Sequence, residues 1–192
     1  APPDLGSKIS VKPDTQAKIP VVYGSAYVSG IITEAVSSSD DLTMTYVITL
    51  SEKTGTLLSD GSQSTFTFND IYWNNSRIVF NGDGITANYI TDDVNTIDSN
   101  INGLVKVYCY NGGSNDPVVP DQYTNVSLQP AYNIVPGWDV TYSMNNLVFV
   151  VVQVTYNKDK GITGLPSLAF NITNSMKLPG DCLNDYMTNT RY

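Results

Sequence analysis

Between Leu42 and Leu50 the chain alternates without a break. Leu42, Met44, Tyr46, Ile48 and Leu50 fall on one side of an extended backbone, and Thr43, Thr45, Val47 and Thr49 on the other. Successive side chains of a strand point to opposite faces, whereas a helix repeats roughly every 3.6 residues, so this stretch reads as a half-buried strand. Asn146 to Tyr156 (NLVFVVVQVTY) is the most apolar run and reads as a central strand. Shorter strands are expected at Thr65–Phe68, Ile71–Trp73, Leu104–Tyr110 and Ser167–Ile172, with Asn74-Asn75 turning the chain into Ser76–Phe80 as a hairpin. A composition rich in Tyr, Thr, Ser, Asn, Val and Gly, with 15% charged residues, fits the same pattern. The expected fold class is all-β, mainly antiparallel, as a barrel or sandwich with a short C-terminal helix.

Residues 1–18 carry Pro2, Pro3 and Pro13 among polar residues, which suits an extended N-terminal arm better than a core element. Residues 19–176 form the β-rich region, as one body or two small barrel domains. Within it Ile19–Ala35 reads as paired strands with bends at Gly24 and Gly30, and Ser37–Asp41 as a polar turn. Thr91–Asn102 is acidic and turn-rich, with room for one helical turn capped at Thr91. Asn111–Gln122 reads as a loop, and Pro130–Trp138 as irregular.

Eighteen acidic against ten basic residues give a net charge of −8, which argues against phosphate-backbone binding and hence against specific nucleic-acid recognition. No stretch reaches the roughly 18 to 20 apolar residues of a membrane-spanning helix. The chain has no histidine, so the commonest general base, the usual nucleophile triads and the usual zinc sites are missing. Any hydrolysis would fall to two carboxylates about 5 to 10 Å apart, from Glu34, Glu52 and sixteen aspartates. No such pair is legible, so no catalytic, cofactor-binding or metal-ligating residue is assigned and the chain reads as a non-enzyme.

Four weaker patterns stand beside that reading. Asn81-Gly82-Asp83-Gly84 has the opening of a calcium loop, but without the later carboxylates it reads as a turn. Asp92-Asp93 reads as helix-start chemistry. Asn74-Asn75-Ser76, Asn125-Val126-Ser127 and Asn171-Ile172-Thr173 contain the glycosylation pattern, which a chain this rich in Asn, Ser and Thr produces by chance. The thirteen tyrosines offer rings with polar tips, which suit a sugar-stacking surface or a subunit interface only where several are exposed together. Cys109 and Cys182 lack metal or redox spacing and read as two free, buried thiols, a single long-range disulfide being the alternative.

The last segment, residues 177–192, is expected to start a helical connection. Asp181 follows the Pro179-Gly180 breaker and is placed to cap a helix whose apolar face carries Cys182, Leu183, Tyr186 and Met187, with Asn184 and Asp185 facing elsewhere. The chain stops at Tyr192 without a polar tail, and more protein is expected to follow it.

Three segments resemble the central hub, or tip attachment, proteins of tailed bacteriophages, the lambda-type family and its cyanophage relatives. IPVVYGSAYVSG (Ile19–Gly30) resembles the family's early strand pair. TYVITLSEKTG running on to FNDIYWN (Thr45–Asn74) is similar to its strand, turn and ring-facing strand. LPSLAFNITNSMKLPGDCLNDYMTNTRY (Leu165–Tyr192) is similar to the family's closing motif. Lys53 stands where glycine is commoner, and Leu178 where asparagine precedes the proline.

The resemblance implies the N-terminal part of a structural virion protein at the tail tip or baseplate. It implies a homotrimer that closes the tail tube, joined to tube and distal ring proteins and in contact with the tape-measure protein. The competing readings are a carbohydrate- or receptor-binding β module of the tail tip and a carboxylate-based glycan hydrolase.

Overall fold

The computed structural model describes residues 18–123 and 128–189; the N-terminal arm expected over residues 1–17 lies outside them. The chain is all-β, with antiparallel strands in two sheets and one short helix near its C-terminus. Six strands form the first sheet in the spatial order β1 (Ser25–Val28), β11 (Leu168–Asn174), β4 (Phe66–Trp73), β5 (Ser76–Phe80), β6 (Ala87–Thr91) and β7 (Ile97–Asp98). Five form the second: β2 (Ile31–Ser37), β3 (Thr43–Glu52), β10 (Leu147–Thr155), β8 (Val105–Asn111) and β9 (Pro117–Val118). Helix α1 spans Pro179–Thr188.

Both sheets contribute to one apolar core. Phe66, Phe68, Ile71, Trp73, Ile78, Phe170 and Ile172 come from the first sheet, and Ile48, Leu50, Val107, Val148, Val150 and Val152 from the second. A smaller cluster lies on the other face of the second sheet, where Val47, Tyr110, Phe149 and Val151 are roofed by Ala131 and Val135, with Ile134, Trp138 and Met144 packed around them. Tyr110 and Phe149 stack there with ring centroids 4.7 Å apart.

This second cluster explains why β10 is apolar on alternate and intervening positions alike, and it bears out the central placement of that strand. It also corrects the reading of β3 as half-buried. Thr45, Val47 and Thr49, the expected solvent side, are buried too.

The expected pairing within Ile19–Ala35 is also wrong. β1 pairs with β11, whereas β2 pairs with β3 in the other sheet. Gly30 makes the crossing: its φ is +71° and an added Cβ would lie 2.6 Å from Ile48 Cγ2 and 2.8 Å from the Thr49 carbonyl oxygen. Only glycine combines that dihedral with so close a backbone approach.

The Asn74-Asn75 hairpin forms as expected, with both asparagines at positive φ (48° and 65°) and Trp73 opposite Ser76. Thr91–Asn102 holds no helical turn. Instead the Asp92 carboxylate accepts from the amides of Val94 (3.0 Å) and Thr96 (2.8 Å), which closes a tight turn between β6 and β7. The expected loop at Asn111–Gln122 carries the short edge strand β9, and Pro130–Trp138 holds a single 3-10 turn over Ala131–Asn133.

Candidate functional site

Two regions gather side chains from segments far apart in the chain. The first is the outer face of the six-stranded sheet, and it depends on a bulge. Along the β11–β4 ladder Phe170 faces Ile71 and Ile172 faces Phe68, so Asn69 and Asp70 together oppose Asn171. An extra residue resets the in-out alternation of a strand. Phe66 and Phe68 face the core before the bulge and Ile71 and Trp73 after it, while Asn69 and Asp70 both remain partly exposed.

The sequence carries this signal openly, as a phase break in FTFNDIYW. We read it as two strands joined by Asn69-Asp70, whereas β4 is continuous.

Tyr72 follows on the outer face opposite Arg77, whose Nη1 lies 3.6 Å from Asp70 Oδ1. From β1, Tyr27 stands opposite Asn171, is 66% exposed, and meets Tyr72 edge-on with ring centroids 5.8 Å apart. Asn69 Nδ2 donates to Asn171 Oδ1 (3.2 Å) and Thr173 Oγ1 (2.9 Å), and the Thr173 and Ser25 hydroxyls are 2.8 Å apart. Burial, the Tyr27 hydroxyl and the Asp70 charge push the Tyr72 phenol up, with Arg77 opposing them, so it stays a hydrogen-bond donor at neutral pH. Two rings, an ion pair and a row of fixed amides and hydroxyls thus share one sheet face.

The second region is the seat of α1. Leu178 occupies the N-cap with no side-chain cap, and Pro179 begins the helix. Asp181 does not cap; it accepts from the Ser59 hydroxyl at 3.3 Å. The helix also docks by a different face from the one expected, although Cys182 of the expected face stays half-buried with its thiol 3.7 Å from the Met176 carbonyl oxygen. Leu183, Tyr186 and Met187 are exposed, and Asp185 is fully buried.

The Asp185 carboxylate accepts from the Tyr23 hydroxyl (2.7 Å), the amides of Gly55 (2.9 Å) and Thr56 (3.0 Å), the Thr56 hydroxyl (3.0 Å) and Asn189 Nδ2 (2.6 Å). Beside it, buried Asn174 donates to the Val22 carbonyl (2.8 Å) and accepts from the Met176 amide (3.0 Å). Helical periodicity cannot reveal this arrangement, because the donors that make a buried carboxylate favourable come from residues 23 and 55–56.

The other residues singled out in the sequence serve local structure. Asp83 accepts from the amides of Ile85 and Thr86, each at 2.9 Å. Burial works against its ionisation, but those two bonds, the Thr86 side chain and the Lys106 charge together outweigh it and hold its carboxyl below the usual range. Glu34 accepts from Trp138 Nε1 at 2.8 Å, and Trp138 stacks on Tyr142 with centroids 5.0 Å apart. Asn125 lies outside the described residues, Asn74 and Asn75 make the hairpin turn, and Asn171 belongs to the sheet face described above.

Both cysteines are free, but only Cys109 is buried; Cys182 is partly exposed. Burial pushes the Cys109 thiol well up, so it is unreactive. Among the described residues no three His, Cys, Asp or Glu side chains converge as metal ligands, and no helix is long and apolar enough to cross a membrane.

Compared with known proteins, the chain matches no family model, and no curated protein shows significant similarity to it.

Proposed function

We propose that this chain is a structural module of a tailed-phage virion: the N-terminal part of the hub protein that closes the tail tube and links it to the tip or baseplate. The observation that carries this reading is where the three family-like segments meet. Tyr23 from the first, Gly55 and Thr56 from the second and Asp185 from the third share one carboxylate. The Gly24 amide bonds the Met176 carbonyl at 2.9 Å, and Val21 bridges Glu52. Segments that resemble one family at three separate places in the sequence thus form one joint in space.

The joint presents a surface suited to assembly. Because α1 is held by its polar side, Leu183, Tyr186 and Met187 face outward at 59, 61 and 74% exposure, beside exposed Leu178. Apolar groups clustered on a surface favour contact with another polypeptide. In the proposed role the module forms a trimer against the tube and distal ring proteins. Its net charge of −8 keeps DNA sliding rather than bound in the lumen.

The test is cryo-electron microscopy of native particles, with a double variant Tyr186→Asp and Met187→Asp made in the same protein. Ring density with three-fold symmetry at the tube end is expected, and the variant should fold normally yet fail to enter particles. A chain that is monomeric and missing from particles, or a lumen lined by basic residues, contradicts the proposal.

A further inference from the structure

We propose that the outer face of the six-stranded sheet, centred on Tyr27 and Tyr72, is a binding site for a neutral saccharide chain. The inference is independent of the hub reading and rests on the chemistry of that face.

A pyranose ring presents one apolar C–H face and a rim of hydroxyls that both donate and accept. Its recognition needs an exposed aromatic ring and fixed polar groups of both kinds beside it. Tyr27 supplies the exposed ring, and Tyr72, 5.8 Å away and at 60° to it, supplies a wall at an angle. Around them Asp70 offers acceptors and Arg77 donors, 3.6 Å apart. Asn171, whose oxygen is taken by Asn69, offers its amide N–H groups.

These groups are already tethered to one another, so little side-chain freedom is lost on binding. The bulge is what makes the face polar enough. A regular strand would turn one of Asn69 and Asp70 into the core, and here both stand outside.

Charge selects the class of ligand. Asp70 neutralises Arg77, and the chain as a whole carries −8, so acidic sugars and nucleic acid are disfavoured. Tyrosine and arginine also serve protein interfaces, but the fully buried centre of such an interface is apolar and depleted of charged groups. Here two tyrosines stand among hydrogen-bonded amides, hydroxyls and an ion pair.

The experiment titrates nitrogen-15-labelled protein with α- and β-linked glucohexaose, mannohexaose and galactohexaose while amide signals are followed by NMR. At least one of these neutral hexaoses is expected to shift the signals of Tyr27, Asp70, Tyr72 and Arg77 saturably. Tyr27→Ala and Asp70→Asn should each weaken that binding by about tenfold, the loss of one stacking contact or one charged hydrogen bond. Tyr142→Ala, which alters the Trp138–Tyr142 pair, should leave it unchanged.

Tyr27→Phe keeps the ring and should retain binding, which separates loss of stacking from loss of folding. The proposal is overturned if no hexaose moves these signals, or if the shifts map to Trp138 and Tyr142. It is equally overturned if the same signals move with protein concentration alone, which would make this face a contact between copies.

Discussion

Replacing Asp185 by alanine deprives bonds from described residues outside α1 of their acceptor, among them two from backbone amides, Gly55 and Thr56, and two from the hydroxyls of Thr56 and Tyr23. The hydroxyls can rotate towards other partners, but the amides cannot. Each orphaned amide costs about 1 to 3 kcal/mol, so the pair costs about 2 to 6. Water entering the vacated space recovers part of this, which puts the expected loss near 3 kcal/mol. In a chain of this size that lowers Tm by about 6 to 12 °C.

Asp185→Asn keeps one oxygen and the volume, and the Tyr23 hydroxyl, which now donates to Oδ2, must turn to accept from the new amide. It should cost about 1 to 2 kcal/mol. Asp181→Asn, whose side chain accepts from the Ser59 hydroxyl at 3.3 Å, should cost less than about 0.5 kcal/mol. Urea unfolding followed by circular dichroism gives the global loss. Hydrogen exchange over residues 179–188 shows whether α1 instead detaches locally. An alanine variant with an unchanged urea midpoint and unchanged exchange in α1 refutes the claim that this carboxylate holds the helix.

Two further expectations follow from the loops. Gly30→Ala combines a φ of +71° with a Cβ under 3 Å from Ile48, Leu50 and the Thr49 carbonyl, so it should cost about 2 to 5 kcal/mol. Gly61→Ala, at φ +82° with open space around it, should cost about 1 to 2; equal urea midpoints for the two variants contradict the packing argument. For Asp83, a folded-state pKa below the ordinary carboxylate value means its stabilisation is present above about pH 4. That stabilisation disappears as pH falls through the folded value. Asp83→Asn should therefore lose stability at neutral pH and show a smaller further drop on acidification, measured as Tm against pH. The turn carboxylates Asp40, Asp60, Asp92 and Asp139, also held low by hydrogen bonds, set a background common to both proteins.

Where neighbours in sequence control the geometry, the chain could be read directly. Asn74 and Asn75 tolerate the positive φ that a tight hairpin demands, and the apolar run of β10 could lie nowhere but between covered faces. The helix after Pro179 was legible for the same reason, because proline and its spacing act within one turn.

Tertiary structure decided what depends on partners brought from a distance. Neighbouring strands β1 and β2 part into different sheets because β1 completes a ladder with β11, far along the chain, whereas β2 pairs with the strand that follows it, β3. The hydrophobic period of α1 suggested an apolar docking face, yet donors from residues 23 and 55–56 made burial of Asp185 the better exchange and turned Leu183, Tyr186 and Met187 outward. The sheet face of Tyr27, Asp70, Tyr72, Arg77 and Asn171 exists only once four strands are in register. Local sequence sets the dihedral preferences and the alternation of side chains. Which polar groups find partners, and which side of an element meets water, is a property of the assembled fold.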